Sequence, residues 1–501
     1  MNGTDSVRGL AQTAQSTSSD QVLRKVSHHL GQLSQLMNNP DATRLVLGLL
    51  FLSRAARTAS GPGVPTWSWL RSQSVERSSG IRSAVRQCLA HHLPAIEDPD
   101  ADAGTMNLVP VPPPGSEGIL HALIEVIWSA QQVGPLLDQC LRDLSTSQAD
   151  GSNYFTPADV ARLMVGAAMP RDGHSVLDPV CGSGGLLVES HRHVQERVGL
   201  SPAMSLRGKE QHGPTSQVAR MNFAVRGIAA RVLPPGDSLA EPEPELHDII
   251  LANLPFNQRD WRPEDRSAQS DQRSSPSARV DPRWPEEPPS KGSANAAWIQ
   301  HIVHALAPTG RAVFLMADNV ANSRQLALRK LRERLLRRDF VECVVALPPR
   351  VFGRTQAPAC LWVINKDKTA RHDWGALDRR RQVLFINARR AFEAVPESRA
   401  RRLGDANTAL ILGTLAAWRG LTENGAATAR YKDEEGWSRS CSVEEIGRRE
   451  HSLMPTSYAV EPHAPERETQ SRIRELKLEL ADRLDRMHDL EARLLNALEE
   501  I

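Results

Sequence analysis

Apolar residues recur at helical spacing from Gln21 to Arg57, and "NNPDATRLVLGLLFLSRAART" sets a turn signal ahead of an apolar face. "LVLGLLFL" at 45–52 is too short to span a bilayer and reads as a buried helix. "TASGPGVPTWSWLRSQSVERSSG" reads as a loop, and helical patterns return at 81–95 and 117–146, separated by the acid- and proline-rich "EDPDADAGTMNLVPVPPPGSEG". Residues 20–146 are therefore expected to form an all-helical domain, preceded by a Ser/Thr/Gln-rich, disordered 1–19.

The periodicity then changes. "HSVLDPV", "MSLRGKE", "ARVLPPGD", "DIILAN", "GRAVFLMAD", "FVECVVALP" and "ACLWVINK" are short, apolar and β-branched, with helical segments at 183–198, 214–227, 294–307 and 322–338. Strands alternating with helices predict an α/β domain with a mostly parallel sheet over 147–370. A polar stretch, "RPEDRSAQSDQRSSPSARVDPRWPEEPPSKGS", interrupts it as a long loop of the functional or disordered kind. Residues 371–465 are less regular and read as an irregular extension of the core. From 466 to 501, Ile473, Leu476, Leu480, Leu484, Met487, Leu490, Leu494, Leu498 and Ile501 repeat every three or four residues. That pattern predicts a long amphipathic helix of coiled-coil type whose leucine face needs a partner.

A chain of 501 residues with a formal net charge of +2 suits two or three domains and gives no global basic signature. Phosphate contacts, if any, must come from local patches such as 324–338 or "RARR" at 399–402, or from another subunit. Six scattered cysteines without a C-x-x-C pair read as reduced thiols of a cytoplasmic protein, with no zinc site. The first residues lack the pattern of a signal peptide.

Polar residues at strand ends carry the candidate chemistry. In "VLDPVCGSGGLLVES" a strand runs into Asp178, then Cys181, Gly182 and Gly184, then a helix whose first N–H groups can face a ligand. Glu210 ends the next strand, where an acid can accept both hydroxyls of a ribose, and Asp237 follows the third. Asn253 ends the fourth, followed by Leu254, Pro255 and Phe256. An amide oxygen, a backbone carbonyl and a ring can together hold a planar amine. Each motif alone has a plainer reading: a structural glycine turn, a solvated carboxylate, a turn aspartate, a β-turn with a buried Phe.

"YFTP" (154–157), "DPVCGSGG", "GKEQ", "ARMNFAVRGI", "GDSL", "LANLPF", "SANAAWIQHIVHALAPTGRAVFLMAD" and "FVECVVALPPRVF" occur in that order. The set resembles the modification (M) subunit of type I restriction-modification systems, of the N-6 adenine DNA methyltransferase family, over about 20–500. The resemblance implies a Rossmann-like S-adenosylmethionine-dependent methyltransferase core, preceded by the helical domain and followed by the C-terminal amphipathic helix. It implies that Tyr154, Thr156 and Pro157 line the methionine end of the cofactor. Asp178, Cys181, Gly182 and Gly184 would hold its amino-acid part, Glu210 its ribose, and Asp237 its adenine. Asn253, Leu254, Pro255 and Phe256 would form the catalytic tetrad. It further implies double-stranded DNA as substrate and a separate specificity subunit docked on the C-terminal helix, with a second copy of the chain and a motor/nuclease subunit as further partners.

One position departs from the usual Asn-Pro-Pro-Phe/Tyr pattern. Leu254 keeps the carbonyl but loses the fixed φ of proline, adds an N–H donor and is expected to add bulk near the base. The alternative reading of the chain is a methyltransferase-fold scaffold that binds DNA or a partner with little turnover.

Overall fold

The computed structural model describes residues 21–58, 63–75, 80–96, 109–130, 133–147, 156–259, 261, 281–284, 289–290, 292–352, 358–371, 374–395, 400–423, 426–427, 431–460, 477, 483 and 487. The N-terminal part is helical, as its periodicity predicts. Helix α1 (Asn39–Thr58) carries the "LVLGLLFL" run and starts where Asn38 Oδ1 accepts the Asp41 N–H at 2.9 Å. Leu45, Val46, Leu49, Leu50 and Leu52 are fully buried, each worth roughly 1.5–3 kcal/mol of transfer free energy. Helices α2 (Trp67–Val75), α3 (Ile81–His92), α4 (Glu117–Ser129) and α5 (Gly134–Ser147) join it in the bundle, and the helical residues 21–33 add Val26, Leu30 and Leu33 to its core.

Helix α2 falls inside a stretch whose glycines and prolines predict a loop. Thr66 Oγ1 caps it through the Trp69 N–H at 3.1 Å, and Trp67 and Leu70, three residues apart, both point into the bundle core. Two buried side chains outweigh the turn-rich flank.

All seven expected strands form: β1 (Ser175–Asp178), β2 (Ser205–Gly208), β3 (Ala230–Val232), β4 (His247–Asn253), β5 (Leu306–Ala317), β6 (Val341–Ala346) and β7 (Ala359–Asn365). Helix α6 (Ala158–Ala168) precedes β1, and the longer helices between the strands are α7 (Gly185–Val198), α8 (Gly213–Arg226), α9 (Asn295–Ala305) and α10 (Leu326–Arg337). The sheet continues past residue 370. The irregular pattern there conceals β8 (Gln382–Asn387), helix α11 (Asp405–Arg419) and β9 (Ser438–Ser442). Strand β9 is an edge strand of sequence "SRSCS" in which only Ser438 and Cys441 are buried, so it has no apolar signature.

The nine-stranded order is β9-β8-β6-β7-β5-β4-β1-β2-β3. Strand β7 runs antiparallel between β5 and β6, β9 runs antiparallel to β8, and the other pairings are parallel. Central strands β6 and β7 are buried at every residue because helices cover both faces, which is why they read as continuous apolar runs. The chain leaves β1 toward β2 and β3, then returns to β4 on the other side of β1. That reversal opens a crevice at the carboxyl ends of β1 and β4.

Helix α8 joins the two parts. Its Val218, Met221 and Val225 belong to the helical-bundle core, while Ala219 and Phe223 belong to the core on the sheet. Of the long polar loop, Asp281–Trp284 return to the body: Trp284 packs edge-on to Trp261 and Arg283 donates to the Glu241 carbonyl at 3.1 Å. The expected disordered 1–19 and the amphipathic 466–501 lie outside the described residues, apart from Lys477, Arg483 and Met487, which are helical and exposed. All six cysteines are free and buried. Among the described residues no helix is long and apolar enough to cross a membrane.

Candidate active site

The crevice holds a cavity of about 400 Å³. The turn after β1 forms one wall. Asp178 Oδ1 accepts the Val180 N–H at 3.0 Å, and the Asp178 carbonyl accepts the Lys209 N–H at 2.9 Å, tying the turn to the end of β2. Gly182 has φ +54° and Gly184 φ +83°, a conformation that side chains disfavour. The two glycines do different things. A Cβ on Gly182 would meet nothing within 4 Å, whereas one on Gly184 would lie 2.4 Å from Phe223 Cζ. Gly182 keeps backbone open to the cavity; Gly184 lets α7 start against α8. Cys181 lines the cavity, but its thiol also packs on Gly208, where a Cβ would come within 2.8 Å of Sγ.

Glu210 is buried, not solvated. Its Oε2 accepts the Gly182 N–H at 3.1 Å and its Oε1 the His212 N–H at 2.8 Å, so it ties the glycine turn to the start of α8. Asp237 forms an Asx turn, Oδ1 accepting the Leu239 N–H at 2.9 Å, and Ser238 Oγ donates to the Pro179 carbonyl at 2.6 Å. Asp178, Glu210 and Asp237 all line the cavity. Burial lifts the Asp178 carboxyl to about 8; the Val180 N–H opposes the rise and the nearby Glu210 carboxylate adds to it.

The opposite wall is the corner after β4. Asn253, in register with Leu315 of β5, is buried and lines the cavity together with Pro255 and Phe256. Asn253 Nδ2 donates to Thr156 Oγ1 at 3.1 Å, which gives Oδ1 the acceptor role. Leu254 turns away: its side chain is fully buried in the core cluster that contains Trp261 and Trp298 and does not line the cavity. The leucine bulk, expected near the base, goes into the core and not into the cavity. Beyond Phe256, Asn257 takes a left-handed φ of +57°. Its N–H donates to Asn295 Oδ1 at 3.0 Å, and Asn295 Nδ2 donates back to Asn257 Oδ1 at 3.0 Å.

Thr156 precedes Pro157, the N-cap of α6, and the far end of α6 is anchored deep in the protein. Arg419 Nη1 donates to the Ala167 carbonyl at 2.9 Å, and the same guanidinium grips Glu342 through two bonds of 3.0 and 3.1 Å. Arg311 and Arg379 also approach Glu342, at 3.3 and 3.5 Å. Tyr154 lies outside the described residues.

The sequence from 129 to 467 matches the family model described as N-6 DNA Methylase. The chain belongs to the N-6 DNA methylase family. It is 33% identical over 318 residues to the type I restriction enzyme HindI methylase subunit of Haemophilus influenzae, covering 62% of this chain and 65% of that one. It is 28% identical over 332 residues to the MjaVII methylase subunit of Methanocaldococcus jannaschii, covering 65% of this chain and 52% of that one. The chain thus spans between half and two thirds of the length of these relatives. Its fold matches that of a type I restriction-modification methyltransferase subunit from Streptococcus thermophilus with a TM-score of 0.68 at 18% identity, covering 88% of this chain and 99% of that one. A second match, at a TM-score of 0.62 and 15% identity, is to a chain of a type I R-M system solved for its assembly and conformational transition, covering 94% of this chain and 98% of that one. These two likenesses are of fold.

Within this N-6 DNA methylase family member, several residues around the cavity had no sign in the sequence. Leu141 and Leu144 of α5 line the cavity, so the helical part supplies one of its walls. Their leucine spacing signals a buried face without saying against what. Asn295 lies in the quoted "SANAAWIQ" but has no strand end to mark it. Trp298 lines the cavity too, and its buried indole N–H has no partner among the described residues. Among the described residues no group of His, Cys, Asp or Glu could hold a metal ion.

Proposed function

We propose that this chain transfers a methyl group from S-adenosylmethionine to the 6-amino group of an adenine flipped out of double-stranded DNA, at sites chosen by a separate specificity subunit. One observation carries the reading: Asn253 and Phe256 share a single cavity with the carboxylates of Asp178, Glu210 and Asp237.

The cavity fits such a cofactor. Its volume of about 400 Å³ suits a ligand of nucleoside size. Backbone at Gly182 is open to close approach, and the buried Trp298 N–H, without a partner among the described residues, can donate to an acceptor. The carboxylate of Asp178 would meet the ammonium group, Glu210 the ribose hydroxyls and Asp237 the adenine amino group; Thr156 and Pro157, with Tyr154, would border the methionine end, beside Cys181 and Gly184. Each Glu210 oxygen already takes one backbone N–H and has a second lone pair for a hydroxyl. When bound, the cofactor supplies an electrophilic methyl group.

The chain's own part is positioning. A stacked base cannot reach this crevice, so the target must leave the helix. Phe256 would stack on it. Asn253 Oδ1 and the Leu254 carbonyl would accept the two amino protons, which directs the nitrogen lone pair out of the ring plane. Thr156 keeps the amide of Asn253 in the orientation this needs. The relatives are named as methylase subunits, which supports a multi-subunit setting. In it the amphipathic 466–501 would dock on the specificity subunit, with a second copy of this chain and a motor/nuclease subunit as further partners.

The test is cofactor binding by calorimetry on the purified chain, then transfer of labelled methyl groups to adenine in duplex DNA with the neighbouring specificity subunit added. Asn253→Ala should cut transfer by roughly 100-fold or more while cofactor affinity holds. Absence of both cofactor binding and adenine methylation would sink the reading.

A further inference from the structure

Residues Glu393–Ala394 pair antiparallel with Arg401–Arg402 in a short hairpin at the carboxyl edge of the sheet. Two bonds tie it to the first turn of α6, close in sequence to the cavity-lining Thr156. Asp159 Oδ2, in the first turn of α6, accepts the Leu403 N–H at 2.8 Å and the Gly404 N–H at 3.1 Å. Asp159 stands three residues after Thr156, the partner of Asn253. On the other side the Arg401 N–H donates to the Arg350 carbonyl at 3.2 Å, just beyond the end of β6. Strand β6 is three places from β4, roughly 14 Å at the usual strand spacing.

The local charge is mostly basic, with Glu393, opposite Arg402 in the register, as an exposed acid. The nearby acids are engaged: Asp159 by the two backbone N–H groups, Asp405 by Arg162, and Asp318 by Arg389. The Glu393 carboxylate lies against Gly404, the N-cap of α11, where the helix dipole favours a negative group. Among the described residues Arg350, Arg401 and Arg402 have no acidic partner. Arg402 is exposed, and Arg401 is held over the Phe392 ring at 3.9 Å, which presents its guanidinium in a fixed plane.

We infer that this hairpin is a phosphate grip: Arg401 and Arg402, with Arg350 beside them, contact the DNA backbone flanking the flipped adenine. The inference rests on the proposed function and locates the DNA on one side of the cavity. A duplex spread over the carboxyl edge of the sheet would place backbone a strand or more away from the extruded base, and the hairpin is bonded to the segment after β6, three strands from β4. A second basic surface, on α10, has no comparable tie to α6 among the described residues; its exposed Arg329 and Lys330 serve as the control.

The experiment measures affinity of the full chain for a fluorescent non-specific duplex over graded salt. For Arg401→Gln/Arg402→Gln the slope of log affinity against log salt should flatten by roughly 2. Cofactor binding should be unchanged, and Arg329→Gln/Lys330→Gln should leave the slope as it is. An unchanged slope in the hairpin variant, a flattened slope in the α10 variant instead, or no duplex binding by the wild-type chain would overturn the proposal. The two readings fail separately. A hairpin-dependent slope in a chain that binds no cofactor would keep the grip and remove the methyltransferase. Cofactor binding and Asn253-dependent methylation with an unchanged slope would do the reverse.

Discussion

Asn295 and Asn257 exchange amide hydrogen bonds across the corner that follows Phe256, each at 3.0 Å. The pair holds Asn257 at a positive φ, and the Gln258 carbonyl adds a third bond, from the Ala294 N–H at 2.8 Å. The corner is thus fixed from the side of α9.

Asn295 is accordingly a positioning residue. Asn295→Ala should lower kcat by roughly 100-fold through displacement of Phe256 and its neighbours, with cofactor Kd within a few-fold of wild type. Asn295→Asp keeps the acceptor for the Asn257 N–H and should recover part of the loss. Equal falls in cofactor affinity and kcat would point to general unfolding of the site instead.

Leu254 separates backbone from side chain. Leu254→Ala keeps the carbonyl, so turnover per folded molecule should stay within a few-fold. The emptied core should lower stability by about 2–5 kcal/mol in a denaturant titration. Leu254→Pro should likewise retain or raise turnover, at a reduced melting temperature. A collapse of kcat in the alanine variant at full folding would show that the side chain has a role beyond packing.

Asp178 makes stability depend on pH. Its folded carboxyl is lifted to about 8, above the ordinary aspartate range. The folded state therefore holds this proton more tightly than the unfolded state does. The contribution is complete below the unfolded pKa and is lost as pH rises toward 8. Asp178→Asn, which can still accept the Val180 N–H, should raise the melting temperature most near pH 8 and hardly at all near pH 4. For cofactor binding the sign is opposite: affinity for a cationic amino group should climb as pH approaches 8, and the asparagine variant should lose that climb.

Glu342 tests the anchor of α6. Burial would push its carboxyl up, but Arg311, Arg419 and Arg379 outweigh burial and hold it well below the usual glutamate range. Removing it leaves three buried guanidinium groups uncompensated. Glu342→Ala should cost about 3–5 kcal/mol of stability, and the thermal transition should show it at neutral pH. Because the folded pKa is depressed, the native contribution is lost only as pH falls below the ordinary carboxylate range.

The cavity-lining carboxylates and amide were legible in the sequence as polar residues that follow short apolar strands. Asp178, Glu210, Asp237 and Asn253 all do this, and the sheet carries all four to one cavity. Residues whose role is set by packing across the chain gave no such sign. Leu141 and Leu144 look like any buried helix face, and the Asn257–Asn295 pair is 38 residues apart in sequence. Helix α2 was hidden by the Gly and Pro residues before it, and β9 by its serines. The direction of the Leu254 side chain was equally hidden, because proline and leucine differ in what they put into the core as well as in φ.

The buried thiols have a practical consequence. Burial pushes the thiols of Cys88, Cys140 and Cys441 up to about 12 and holds Cys181, Cys343 and Cys360 high as well. Alkylating reagents need an accessible thiolate, so the native chain should resist them at neutral pH. Cys88 and Cys140 sit in the bundle, Cys181 at the glycine turn, Cys343 and Cys360 in central strands, and Cys441 at the sheet edge. Mass spectrometry of time-resolved alkylation would thus record the order in which these regions open, with no probe introduced.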